Sequence, residues 1–66
     1  MKNNFAKNLC ELRKLKHWRQ VDLAARLNTT QRKISYWEQG KFEPDIDTLL
    51  LLAEIFDVSL EELLTD

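Results

Sequence analysis

Residues 20–44, QVDLAARLNTTQRKISYWEQGKFEP, decide how this chain is read. Leu23, Ala24 and Leu27 recur at helical spacing, and Asn28 then closes that helix, being second only to glycine at a left-handed helix end. After Thr29 and the capping residue Thr30 a second helix begins, with Ile34 and Trp37 on its inner side and Gly40 as its stop. Two amphipathic helices joined by so short a polar turn form a bracket in which one helix can rest on a nucleic-acid backbone while the other enters the major groove.

Around this bracket the apolar periodicity predicts three more helices and no strand. A first helix over residues 4–16 has Phe5, Leu9 and Leu12 in register, Asn4 as N-cap and His17 as a residue tolerant of positive φ. The second spans about 20–27, with Trp18 placed to staple onto Leu23; the third runs to about 39. Asp45 caps a fourth over 46–56. Ser59 to Glu62 forms a capping box for a fifth, stapled by Val58 and Leu63. The expected class is all-α: a compact five-helix domain covering 1–66, with the helix-turn-helix at about 20–39.

The formal net charge of −1 hides a division. All ten basic residues lie in 1–41 against three acidic ones, a net of +7; residues 42–66 hold eight acidic residues and no basic one, a net of −8. Such asymmetry points to a polyanion-facing half and an acidic remainder. No apolar run approaches the length of a membrane span, and the start MKNNFAKN lacks a secretory h-region. With Cys10 and His17 each alone, neither a disulfide framework nor a zinc site can close. Cytoplasmic residence, no membrane, no cofactor and no metal are the expectations. Catalysis has no support, since Cys10 has no obvious base and the carboxylates sit at caps and on solvent faces. No small-molecule pocket can be argued.

The candidate readout residues are Gln31, Arg32 and Lys33 at the start of the third helix and Tyr36 one turn on. A Gln amide matches N7 and N6 of adenine, and an Arg fork matches O6 and N7 of guanine. Lys33 can reach guanine or a phosphate, and Tyr36 offers a hydroxyl and an apolar ring. A solvated polar face would account for any one of them; the four together favour base readout. Arg19, Gln20, Thr30, Gln39 and Lys41 flank them as candidate phosphate contacts, helped by the amides at the helix N-termini.

Several spaced motifs carry a resemblance: Leu9, Leu12 and Arg13; Gln20, Leu23, Ala24 and Leu27; Ile34, Ser35, Trp37, Glu38, Gly40 and Lys41; Pro44; and Val58, Ser59, Leu60, Leu63 and Leu64. In their joint spacing the chain resembles the phage Cro/repressor-type helix-turn-helix family, also called the Xre family. The resemblance implies a five-helix, phage-repressor-like domain that binds double-stranded operator DNA as a dimer. It assigns Gln20 and Lys41 to phosphate, and Gln31, Arg32 and Tyr36 to bases. It further implies a structural ion pair between Arg13 and Glu38. Arg19 departs from the family's Ser or Thr cap, a loss of roughly 1 kcal/mol. Trp18 stands where a smaller aliphatic is common, and His17 and Asn28 stand at glycine positions.

The fourth helix carries more apolar residues than one face needs. Ile46, Leu49, Leu52, Ala53 and Phe56 form the expected core stripe at about 100° per residue, while Leu51 and Ile55 lie opposite, with Leu50 between. A homodimer through Leu51, Ile55, Leu60 and Leu64 follows as an expectation, matching a pseudo-palindromic site with half-sites roughly 34–36 Å apart. Scattered exposed leucines on a monomer are the alternative. The competing class is an antitoxin or adaptor whose acidic, leucine-rich half binds a protein partner. The end of the chain at Asp66, with no wrapping tail, favours the plain regulator.

Overall fold

Each of the first four helices ends in the same way, and that repeated ending sets the angles at which the chain turns. The computed structural model describes residues 3–65, with helices α1 (Phe5–Leu15), α2 (Gln20–Arg26), α3 (Gln31–Glu38), α4 (Ile46–Phe56) and α5 (Leu60–Leu64). Met1, Lys2 and Asp66 lie outside the described residues. After α1 to α4 come His17, Asn28, Gly40 and Asp57, all at positive φ between 55° and 75°. In every case the N–H of the next residue reaches back five residues: Trp18 to Arg13, Thr29 to Ala24, Lys41 to Tyr36 and Val58 to Ala53, at 2.9–3.2 Å. The left-handed residue itself donates to the carbonyl three before it, at 2.9–3.3 Å. These are Schellman closures, which satisfy carbonyls the helix would otherwise leave unpaired. His17, Asn28 and Gly40 were legible as such stops. Asp57, an acidic residue at the negative end of a helix dipole, was not.

Helix starts are equally defined. Thr30 Oγ1 accepts from the Lys33 amide at 3.3 Å, and Asp45 Oδ1 from that of Thr48 at 2.9 Å. The Ser59–Glu62 capping box closes in both directions, at 2.8 and 2.9 Å. Two starts differ from expectation. At α1 the Phe5 amide donates to Asn3 Oδ1, one residue before Asn4. At α2 the Arg19 guanidinium cannot accept a bond, since it carries donors only. Instead Asp22 Oδ2 accepts from the Arg19 amide at 2.7 Å, and the Asp22 amide donates to the Arg19 carbonyl at 3.0 Å. The carboxylate in the first turn also complements the helix dipole, which offsets the missing cap.

The inner faces meet in one core: Phe5 and Leu9 from α1, Leu23 and Ala24 from α2, Ile34 and Trp37 from α3, Leu52, Ala53 and Phe56 from α4, and Leu63 from α5. Trp18 reaches it from the α1–α2 link, its ring 5.7 Å from that of Phe56, with the Arg26 guanidinium 3.9 Å from its centroid. The short α5 is held by α1: the Asn4 amide donates to the Leu64 carbonyl at 2.9 Å, and Asn8 Nδ2 to the Leu63 carbonyl at 3.0 Å. One core assignment fails. Ile46 is 57% exposed, because as the first residue of α4 it sits 60° off the Leu49 position and overhangs the end of the core. Leu27 and Leu49 are half-buried against the core rather than within it. No helix among the described residues is long and apolar enough to cross a membrane.

Asp57 combines a left-handed backbone with the wrong charge for its place, so Asp57→Gly should stabilise the domain by about 1 kcal/mol. A thermal melt should rise by roughly 4–8 °C; an unchanged or lower midpoint would mean that the Asp side chain supports the turn.

Candidate nucleic-acid interface

The outer side of α3 is the only place where the candidate readout residues can meet, and packing puts them there. Ile34 and Trp37 are buried, which turns Gln31, Arg32 and Lys33 into solvent and leaves Tyr36 half-exposed one turn later. Because Thr30 caps the helix through its oxygen, its hydroxyl proton stays a donor at the same edge. Gln39 Nε2 donates to Ser35 Oγ at 2.7 Å, and Lys41 lies beyond the Schellman turn with Nζ 5.6 Å from the Tyr36 ring centroid. Arg19 stands exposed at the start of α2, its guanidinium bonded twice to Asp22 at 3.1 Å.

Behind this surface a polar chain runs through the protein. Arg13 Nε lies 2.6 Å from Glu38 Oε2, and Arg13 Nη2 donates to Glu38 Oε1 at 3.0 Å, a fork between α1 and the last turn of α3. The two side chains are 11% and 6% exposed. Arg13 Nη1 also donates to the Trp18 carbonyl at 2.7 Å, and its Nη2 approaches Cys10 Sγ at 3.8 Å. On the other side Gln20 Nε2 donates to Glu38 Oε1 at 3.0 Å, and Gln20 Oε1 accepts from Gln31 Nε2 at 3.3 Å. The first readout candidate is thus connected to the ion pair through a single amide. Burial by itself pushes the Glu38 carboxyl up. The hydrogen bonds from Arg13 and Gln20, with the Arg13 charge, outweigh it and hold the group below its ordinary range. The hydrogen bond to Glu38 raises Arg13.

The dimer candidates are not alike. Leu51 is 41% exposed, whereas Ile55, Leu60 and Leu64 are half-buried and packed against the core. Leu50, 51% exposed, and Ile46 extend the apolar edge of α4 instead. Sequence reasoning also missed the Gln20 bridge and the contact of Phe42 with Tyr36, whose centroids lie 5.4 Å apart. The only available signal for the second was a large aromatic residue in an otherwise polar link. Among the described residues no group of three or more His, Cys, Asp and Glu could hold a metal ion.

The amphipathic α2, left-handed Asn28 and the Thr30-capped α3 together make α2 and α3 a helix-turn-helix unit. A helix-turn-helix family model matches residues 11–63, and the chain belongs to that family, the Cro/C1 type. It is 40% identical over 60 residues to an uncharacterised transcriptional regulator, YqaE, of Bacillus subtilis, covering 91% of this chain and 52% of that protein. To the transcriptional activator BcrR of Enterococcus faecalis it is 36% identical, covering 92% and 30%. A crystal structure of a transcriptional regulator from Listeria innocua superimposes with a TM-score of 0.91 at 34% identity, covering 97% of this chain and 60% of that one. The chain therefore spans about half or less of the length of the curated relatives it matches. Those relatives are transcriptional regulators, a non-enzymatic class.

Removing Arg13 leaves a buried carboxylate uncompensated, at about 3–5 kcal/mol. A domain of this length has a total stability of only ~3–10 kcal/mol, so Arg13→Met should unfold much of the population. Arg13→Met with Glu38→Met should recover most of the loss in a urea titration; a double variant as weak as the single would show that the pair is not what the substitution disturbs.

The Glu38 pKa is depressed in the folded state, so its contribution is complete above the ordinary carboxylate value and is lost as pH falls through the folded value. Asp22 is lowered first by the hydrogen bond from the Arg19 side chain and then by that from its amide, and Asp45 and Glu62 by their cap hydrogen bonds; all three act in the same direction. Glu38→Gln should reduce the slope of the acid limb below about pH 4.5 without abolishing it, as read by circular dichroism.

Proposed function

We propose that the domain binds double-stranded DNA in a sequence-specific manner and represses transcription, with α3 in the major groove. The observation that carries this reading is the outer face of α3. Three polar side chains stand in solvent at the helix start with a half-exposed tyrosine one turn later, while Ile34 and Trp37 are turned inward. Gln31, Arg32, Lys33 and Tyr36 would read bases. Arg19, Gln20, Thr30, Gln39 and Lys41 would bind phosphates, and the orphan amides of α2 and α3 add donors at the same rim. Membership of a family of transcriptional regulators supports this direction. The acidic α4–α5 half is then the side turned from DNA, and the net charge of −1 is no obstacle.

A homodimer completes the proposal. The exposed apolar edge of α4 at Ile46, Leu50 and Leu51, flanked by the partly exposed Ile55, Leu60 and Leu64, supports a two-fold interface and a pseudo-palindromic operator.

Selection from random duplexes should return a two-fold motif, with binding that weakens steeply as salt rises. Arg32→Ala should cost about 1–3 kcal/mol and relax preference at one base pair. An equal loss on every duplex would make Arg32 a phosphate contact, and a flat selection profile would sink the reading. For the dimer, Leu50→Asp with Leu51→Asp should halve the sedimentation mass of a folded chain. Ile55 is unsuitable for this test because it packs on the core.

A further inference from the structure

Phe42 is 61% exposed, so folding gains little from its ring. It lies in the link between α3 and α4, outside the readout helix, and its contact is with a readout candidate. The Phe42 and Tyr36 rings meet edge to face, with centroids 5.4 Å apart and planes at 65°. The same link restrains Tyr36 twice more: the Lys41 amide donates to its carbonyl at 3.0 Å, and Lys41 Nζ lies 5.6 Å from its ring centroid. Phe42 also forms the common wall of two open grooves. One, of about 640 Å³, runs past Asn28, Thr30, Arg32 and Tyr36; the other, of about 420 Å³, runs towards Asn3 and Ala6. The aromatic pair is therefore a ridge beside the readout surface.

We propose that Phe42 is a positioning residue that holds the Tyr36 ring against the 5-methyl group of a thymine, so that a residue outside α3 sets the preference at one base pair. A tyrosine side chain has two free torsions, and a partner on its edge limits both. In the major groove thymine alone presents a methyl group, and an apolar ring is its complement. The inference rests on the DNA-reading proposal above.

The test uses the duplex recovered by selection, with each thymine replaced in turn by deoxyuridine, which lacks only the methyl. For the unaltered chain, uracil at one position per half-site should weaken binding about fourfold, the worth of one buried methyl-sized group. Phe42→Ala should bring that thymine-to-uracil ratio to about one, binding the uracil duplex as the unaltered chain does, while Phe42→Tyr should keep the ratio. Phe42→Gln retains bulk without a ring and should behave like Phe42→Ala. Circular dichroism establishes that each variant is folded. A ratio unchanged in Phe42→Ala and Phe42→Gln overturns the inference and leaves DNA reading intact. So does an equal loss on thymine, uracil and unrelated duplexes, which marks Phe42 as a backbone contact. A selection that enriches no motif overturns the DNA-reading proposal itself, and this inference with it.

Discussion

The Arg13–Glu38 fork is the constraint on which the rest of the domain depends. It joins the last turn of α1 to the last turn of α3, and from the same guanidinium a third bond fixes the Trp18 carbonyl in the α1–α2 link. One side chain thereby sets three elements relative to one another. A buried ion pair is weak evidence for stability, because desolvation of the two charges consumes much of their attraction. Its value here is geometric. A fork of two parallel bonds has a direction as well as a length, and a core of leucines packed against leucines does not.

The pair also reaches the surface. Glu38 holds Gln20, and Gln20 holds Gln31, so the start of α2 and the start of α3 are tied by amides with the carboxylate at their root. The two helices need not find their mutual angle from packing alone. On the proposed reading, the same amides face DNA, and the protein presents them already ordered, which lowers the entropy lost on association.

Much of this was legible in the residues. All five helices follow from apolar spacing, and α4 falls at its expected bounds because Asp45 caps it and Phe56 ends the stripe. Asn28, His17 and Gly40 marked three of the four left-handed turns, since few residues tolerate that backbone. Asp57 did not, because nothing about an aspartate at the end of an apolar run distinguishes a turn from a solvated surface. Periodicity placed Ile46 in the core because it knows the angle of a residue and not how far along the helix the core extends. The grouping of Gln31, Arg32, Lys33 and Tyr36 on one face followed from the inward positions of Ile34 and Trp37. Contacts between separate elements, such as Gln20 with Glu38 or Phe42 with Tyr36, leave no periodic trace and exist only in the folded chain.

The Schellman turns at Asn28 and Gly40 have a consequence for how such a domain diversifies. They close α2 and α3 with backbone hydrogen bonds, so the bracket keeps its shape without help from the side chains on the outer face of α3. Arg32 and Lys33 carry no side-chain hydrogen bond within the protein among the described residues, and can be exchanged by point substitution without disturbing the fold. Gln31 is different, because its amide belongs to the chain that ends on Glu38. On the proposed reading, lineages of this domain are free to drift in target sequence at two neighbouring positions, while the residue just before them is tied to the polar chain behind the surface.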